Sequence, residues 1–226
     1  MRIYSSDHFP AVSDTDMRTP MVLTVPGIDN SGPGHWQSLW ERERDDCTRV
    51  ELGSWEKPQR NLWVTKLGSA IAAASRPVVL VAHSLGCHAV GWWNALEQPL
   101  ATNVVGALLV APPEVEDQPI DERLRPFGPV ARRRLPFPSL LVATQNDPYA
   151  SFGRAKRMAR IWGSQLIDPG PLGHINAESG VGDWPYGQHL LRRLIGTVTP
   201  ERKPPLTSGA AEYFARSTAR QVELRL

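Results

Sequence analysis

The feature that most constrains this sequence is an aliphatic run that leads into a serine. Residues Val78 to Ala82 are all apolar and predict a buried strand. The turn His83-Ser84-Leu85-Gly86 follows, and an apolar segment with helical spacing begins directly after it. A strand, a sharp turn with a serine at its apex and a helix are typical of a nucleophile elbow. Such a turn exposes the serine hydroxyl above the sheet and leaves the next backbone N–H group free.

An elbow of this kind needs small residues two positions before and two positions after the serine, because neighbouring backbone passes very close. Ala82 and Gly86 occupy those positions, so the pattern is Ala-x-Ser-x-Gly where Gly-x-Ser-x-Gly is usual. Short strings of this type also arise by chance. The elbow hypothesis therefore depends on whether a base and an acid lie in suitable places elsewhere in the chain.

Short aliphatic runs alternate with segments of helical spacing along the rest of the sequence. The predicted strands are 21–26, 49–52, 78–82, 104–110, 139–144 and 165–167, and the predicted helices are 35–46, 61–74, 85–98, 149–162 and 184–196. This alternation predicts an α/β fold, a three-layer α/β/α sandwich around a mostly parallel sheet of about six strands. The segment 111–137 is rich in proline and charge, which indicates a loop or a minimal lid over the strand ends.

The length and composition suit one folded domain. The chain has 226 residues, of which 41% are hydrophobic, enough for a substantial single core. We expect a flexible leader over 1–19, the folded domain over 20–199, and a tail over 200–226 that could form a helix.

Charge and cysteine content exclude several classes of function. The 25 basic and 23 acidic side chains give a net charge of +2, which offers no argument for nucleic-acid binding. Cys47 and Cys87 have no metal-binding or redox spacing, so we expect no disulfide framework, no metal and no cofactor.

Residues 1–18 lack the apolar core of a signal peptide, and no stretch approaches the roughly 20 apolar residues of a membrane span. We therefore expect a cytoplasmic protein with no membrane contact.

An activated serine needs a base and a group that orients the base. In parallel sheets such groups lie beyond the carboxyl ends of the strands. His174 follows the last predicted strand, and Asp147 follows the strand before it. The order Ser84, Asp147, His174 is that of the α/β-hydrolase triad. Asp168 is the alternative acid, although its place directly after a strand favours a role in a turn.

Backbone groups next to the serine are candidates for binding the oxyanion of an acyl-transfer reaction. Leu85 follows the serine, and Ile28 follows the first glycine of the loop 27–34, so we expect their N–H groups to serve. An ordinary turn is the alternative for this loop, while a phosphate-binding loop would require glycine motifs that are absent.

His35 begins a helix beside the loop and is a candidate for substrate contact. Cys87 is a competing nucleophile, although a cysteine one helical turn past an elbow is usually a core residue.

Three motifs together carry a resemblance to a known family. They are Val25-Pro-Gly-Ile-x-x-Ser-x-x-x-His-Trp36, the elbow Ala82–Gly86, and Gly173-His-Ile-Asn-Ala-Glu-Ser-Gly-x-Gly-x-Trp-Pro185. On these residues the chain resembles the small serine hydrolases of the retinoblastoma-binding-protein-nine/YdeN-like family over about residues 21–197. The resemblance implies a minimal α/β-hydrolase fold with little lid. It also implies the triad Ser84, Asp147 and His174, with Leu85 and Ile28 as oxyanion donors.

The expected function is hydrolysis of small carboxylic esters or related acyl compounds through an acyl-enzyme on Ser84. An amidase or an aminopeptidase-like enzyme would use the same residues. The other hypothesis is a partner-binding or scaffold protein on a hydrolase fold, since a fold does not fix a function. The family's name records a protein partner, but the Leu-x-Cys-x-Glu type of pocket-protein motif is broken at Ala89.

Overall fold

The computed structural model describes residues 19–97 and 103–199, which contain a six-stranded sheet. Its strands are β1 (Met21–Val25), β2 (Cys47–Arg49), β3 (Val78–His83), β4 (Val104–Val110), β5 (Ser139–Val142) and β6 (Gln165–Ile167). They lie in the order β2-β1-β3-β4-β5-β6, and every neighbouring pair is parallel. The elbow strand β3 is therefore central, with β1 on one side and β4 on the other.

Helices cover both faces of the sheet. They are α1 (Trp36–Glu43), α2 (Arg60–Ala73), α3 (Leu85–Glu97), α4 (Phe152–Trp162) and α5 (Pro185–Val198), with short 3-10 helices at Glu122–Phe127 and Ala177–Ser179. The apolar residues of α2, α3 and α4 form one core cluster, and those of α1 and α5 form another across the sheet. The predicted three-layer α/β/α sandwich is confirmed.

The strands are continuous apolar runs because both faces of the sheet are covered. Along β3, Leu80 and Ala82 belong to the cluster with α2, α3 and α4, while Val79 and Val81 belong to the cluster with α1 and α5. All six residues of β3 are buried. This burial fixes the register of the strand and hence the position of the turn that follows it.

The edge strand β2 lies earlier in the chain than predicted. The apolar pattern predicts a strand over 49–52, whereas the structure pairs Cys47–Arg49 with β1. Val50 and Leu52 are buried, but they lie past the strand, where the chain packs onto the core as a loop. The Val50 N–H still donates to the Thr24 carbonyl at 2.9 Å, although the strand ends at Arg49. Buried apolar residues just past a strand give the same sequence pattern as strand residues, and this similarity explains the error.

The segment 111–137 packs against the body of the domain. Leu124 and Phe127 in its 3-10 helix are buried, and the Trp92 indole N–H donates to the Phe127 carbonyl at 2.7 Å. The prolines interrupt longer helices, so the segment covers the core as an irregular layer with little lid. This packing holds Arg123 and Leu124 at the mouth of a pocket that contains Ser84.

The predicted leader, apart from Thr19, and the predicted tail 200–226 lie outside the described residues, so the domain boundaries stay predictions. In the parts of the chain that the structure describes, no helix combines the length and apolar character needed to cross a membrane.

Candidate active site

Ser84 lies in the tight turn between β3 and α3. Its φ is +53°, a left-handed backbone conformation that is costly for a residue with a side chain. The turn is compressed by neighbouring backbone, because a Cβ placed on Gly86 would lie 2.2 Å from the Val25 carbonyl oxygen. Glycine at this position lets β1 and the start of α3 approach each other. The local geometry is that of the predicted elbow.

Ser84, His174 and Asp147 form a hydrogen-bonded chain at the carboxyl edge of the sheet. His174 Nε2 lies 2.9 Å from Ser84 Oγ, and His174 Nδ1 lies 2.9 Å from Asp147 Oδ2. A carboxylate only accepts, so Nδ1–H donates to Asp147 and the Nε2 lone pair faces the serine hydroxyl. The structure thus brings together the three side chains that the sequence selected, all of them buried.

The two candidate acids have different surroundings. The Tyr149 N–H donates to Asp147 Oδ1 at 2.8 Å, and the Tyr149 ring packs on the His174 ring with centroids 4.2 Å apart. Asp168 instead accepts from the Gln145 side chain at 2.7 Å and from the Gly170 N–H at 2.9 Å. Asp168 therefore stabilises its own turn, and Asp147 is the acid in contact with His174.

The loop that carries His174 is fixed by side chains that sequence reasoning did not select for this task. His83 Nε2–H donates to the His174 carbonyl at 2.9 Å, and the Trp36 indole N–H donates to the Ile175 carbonyl at 2.8 Å. The Gly173 N–H donates to Asn146 Oδ1 at 2.8 Å. These bonds hold the backbone of the histidine from three sides. Trp36 lies in the first motif and His83 in the elbow motif, but neither pattern indicated these contacts.

The two candidate oxyanion donors come from different parts of the chain, Leu85 directly after Ser84 and Ile28 from the loop after β1. The Leu85 N–H begins α3, and neither it nor the Ile28 N–H has an acceptor among the described residues. Gly27 lies so close that a Cβ there would be 2.8 Å from Ser84 Cβ, which brings its neighbour Ile28 to the serine. The positive end of the α3 dipole adds to the attraction for negative charge at this position. Their role as donors stays a prediction.

His35 and His83 are neutral groups beside the site. Burial, with smaller contributions from Arg49 and His174, lowers the pKa of His35 to about 4. Burial also lowers the pKa of His83 well below its ordinary value. His35 Nδ1 accepts from the Gln37 N–H at 3.2 Å, which caps α1 and leaves the ring proton on Nε2. His35 lines the pocket, as a substrate contact requires, and the contact itself stays a prediction.

These buried histidines predict a pH-dependent stability. Burial likewise lowers the pKa of His88 to about 4, so three rings stay neutral in the folded protein while the unfolded chain takes up protons below about pH 6.5. Stability should be complete above pH 7 and fall as the pH drops, at up to about 1.4 kcal/mol per pH unit for each histidine. Urea unfolding between pH 7.5 and 5.5 measures this slope. His88→Gln should reduce it by about a third, and a stability that is flat over this range would contradict the account.

Cys87 does not compete with Ser84 for the role of nucleophile. Its sulfur lies in the core under the elbow, 3.5 Å from the Ala82 carbonyl oxygen and 3.4 Å from that of Val110. Burial raises the pKa of this thiol, so the reactive thiolate is disfavoured.

The pocket at Ser84 has a volume of about 290 Å³. Its lining includes polar side chains to which the sequence analysis assigned no role: Asp29, Asn30, Asp121, Arg123, Asn176 and Glu178. Apolar lining comes mainly from Ile28, Leu124 and the Tyr149 ring. Within the described residues no group of three His, Cys, Asp or Glu side chains is placed to hold a metal ion.

The chain was compared with models of known protein families. The model described as serine hydrolase matches residues 22–193. The chain belongs to the serine hydrolase family. Among solved structures, this serine hydrolase is similar to a protein described as a YdeN-like hydrolase from Pectobacterium atrosepticum. The two share 33% identity, the match covers 82% of this chain and 96% of that one, and the TM-score is 0.72. The resemblance that the motifs carried is confirmed.

Two further structures bear on the fold of this serine hydrolase. The ydeN gene product of B. subtilis is 21% identical, with a TM-score of 0.64 over 79% of this chain and all of that one (100%). Est1E from Butyrivibrio proteoclasticus is 10% identical, with a TM-score of 0.56 over 80% of this chain and 87% of that one. At these identities the likeness shows the α/β-hydrolase fold alone. No protein with a curated description matches the chain by sequence.

Proposed function

We propose that this serine hydrolase cleaves small carboxylic esters through an acyl-enzyme on Ser84. The observation that carries the proposal is the continuous hydrogen-bonded chain from Asp147 through His174 to the Ser84 hydroxyl, with both links at 2.9 Å. In this scheme His174 takes the Ser84 proton as the oxygen attacks the substrate carbonyl. Asp147 holds the imidazole in the required tautomer and stabilises the imidazolium that forms.

The N–H groups of Leu85 and Ile28 would bind the negative oxygen of the tetrahedral intermediate. Each such donor is typically worth about 3 kcal/mol of the barrier. His174 then gives its proton to the leaving alcohol, and the C–O bond of the ester breaks. Water, activated by the same histidine, attacks the acyl-enzyme and releases the acid, which regenerates the Ser84 hydroxyl.

The pocket supports small acyl groups as the substrate class. The pocket has a volume of only about 290 Å³, so a long acyl chain would extend out of it. The chain would then lie against the charged and amide groups that line the pocket. Little apolar surface would be buried there, so chain length would bring little binding energy. Amides would pass through the same intermediate, and we infer esters first because an alcohol leaves more easily than an amine.

We therefore expect turnover to decrease with acyl chain length. From p-nitrophenyl acetate to p-nitrophenyl octanoate, kcat/KM should fall roughly tenfold, equivalent to about 1.4 kcal/mol of transition-state stabilisation. A series of p-nitrophenyl esters from two to eight carbons measures this. Ser84→Ala is the control, because surface groups also cleave activated esters slowly. Faster Ser84-dependent turnover of the octanoate would contradict the proposed substrate class.

A further inference from the structure

The turn that carries Ile28 is strained and held by charged side chains. Asp29 and Asn30 follow Ile28 directly, and both have positive φ, +60° and +63°. Asp and Asn adopt this left-handed conformation more readily than other residues with side chains, but it remains less favoured than the ordinary backbone regions. Two such residues in succession, next to a candidate oxyanion donor, require identifiable restraints.

One restraint comes from inside the domain. Arg49, mostly buried at the end of β2, donates from Nη1 to Asn30 Oδ1 at 3.1 Å and to the Ser31 carbonyl at 3.0 Å. The same guanidinium pairs with Glu41 of α1 at 2.7 Å. Asn30 is therefore anchored to the edge of the sheet and to α1.

The other restraint crosses the mouth of the pocket. Arg123, in the 3-10 helix Glu122–Phe127, forms a two-pronged pair with Asp29, with distances of 2.8 and 3.0 Å. It also donates to Asp121 from Nε at 3.0 Å and from Nη2 at 2.7 Å, and to the Glu56 carbonyl from Nη1 at 3.3 Å. All five N–H donors of Arg123 thereby have acceptors in the protein, so the guanidinium is committed to holding this arrangement.

We propose that Arg123 is a positioning residue for the oxyanion loop. Its pair with Asp29 ties the segment 111–137 to the Ile28 turn and holds that turn in the pocket of Ser84, where the Ile28 N–H has no acceptor among the described residues. Arg123 acts through Asp29 and not by touching the substrate. This inference rests on the proposed ester hydrolysis for its effect on rate, while its effect on the loop can be measured without any substrate.

The pair is partly exposed, with 38% of the Arg123 and 58% of the Asp29 side chain accessible. Exposed pairs are weak and are screened by salt, so the restraint should be modest and should weaken with ionic strength. The chain offers a matched control in Arg125. This residue lies on the same short helix and pairs with Glu122, which is three positions away, and neither of them contacts the Ile28 turn.

The first measurement is hydrogen exchange of the fragment that spans residues 24–34 in wild type, Arg123→Gln and Arg125→Gln. The reporters are the Asp29 N–H, bonded to the Trp55 carbonyl at 3.1 Å, and the Asn30 N–H, bonded to the Gly27 carbonyl at 3.3 Å. We expect exchange to be about fivefold faster in Arg123→Gln, the loss that an exposed two-pronged pair allows, and unchanged in Arg125→Gln. Equal exchange in all three proteins would overturn the proposal.

The second measurement is steady-state kinetics with p-nitrophenyl acetate. Arg123→Gln should lower kcat about fivefold with KM within about twofold, because an oxyanion donor acts mainly on the transition state. Asp29→Asn should have the same effect, and the double variant should be no worse than either single one. A raised KM with unchanged kcat would mean that Arg123 contacts substrate directly, and would overturn the positioning role.

Salt dependence separates positioning from general loss of structure. Between about 0.01 M and about 1 M salt, wild type and Arg125→Gln should lose activity toward the level of Arg123→Gln, which should respond little. Parallel salt curves for all three proteins would count against the pair. If wild type has no Ser84-dependent activity, the proposed function fails, and the exchange experiment alone decides whether Arg123 holds the loop.

Discussion

Ser84→Ala should lower kcat/KM for p-nitrophenyl acetate by about 10⁴-fold or more. The variant removes the hydroxyl oxygen that His174 Nε2 contacts at 2.9 Å, so no acyl-enzyme can form. The substitution removes one oxygen and keeps the Cβ, so it adds no clash and should leave the fold intact. Steady-state kinetics at saturating and limiting ester, with circular dichroism to check folding, measures the effect.

Two comparisons sharpen this prediction. The double variant Ser84→Ala with His174→Ala should be no slower than Ser84→Ala alone, because the two residues act as one unit. Cys87→Ala should keep most of the activity, since its sulfur lies in the core. Loss of activity in Cys87→Ala together with retention in Ser84→Ala would reverse the assignment of the nucleophile.

Gly86→Ala should destabilise the protein by about 3 kcal/mol or more, the upper range for forcing extra volume into a packed site. The added Cβ would lie 2.2 Å from the Val25 carbonyl oxygen and 2.6 Å from that of Pro26. Both clashing atoms are backbone, so the end of β1 must move and carry the Gly27-Ile28 turn away from Ser84. Activity should therefore fall even where the variant remains folded. Urea unfolding and ester kinetics test the two effects separately.

Gly196→Ala is the matched control for this change. It also adds one methyl group to a helical glycine, but among the described residues outside its own helical turn a Cβ there meets no atom within 4 Å. Alanine is favoured over glycine in a helix by up to about 1 kcal/mol, so this variant should be as stable as wild type or more so. A Gly86→Ala protein with wild-type stability and activity would show that the elbow tolerates a movement of β1 that the structure does not suggest.

The central strands were predictable from the sequence because a strand that is buried on both faces is a nearly continuous run of apolar residues. Val104–Val110 appears at the predicted bounds, and the elbow strand ends one residue later than predicted. The edge strand β2 was predicted at the wrong position, because it has one buried face and polar residues such as Thr48. The strand was predicted two residues too late because the apolar residues Val50 and Leu52 lie in the loop that follows it.

The three side chains of the candidate site were predictable because each follows a strand end in a recognisable chain order. The groups that hold them in place were not. Arg123 and Asp29 are 94 positions apart, and His83 and His174 are 91 apart. Their contacts depend on how the irregular segment 111–137 and the His174 loop pack, and periodicity carries no information about such packing. Long-range contacts of this kind emerge only from the fold.

Labelling with a fluorophosphonate probe tests the central claim most directly, because the probe reacts with an activated serine whatever the natural substrate is. Wild type and Ser84→Ala should be treated side by side, and the adduct should be mapped by peptide mass spectrometry. The account predicts a single adduct on Ser84 that Ser84→Ala abolishes. A well-folded wild-type protein that stays unlabelled would contradict it and would favour a partner-binding role on a hydrolase fold.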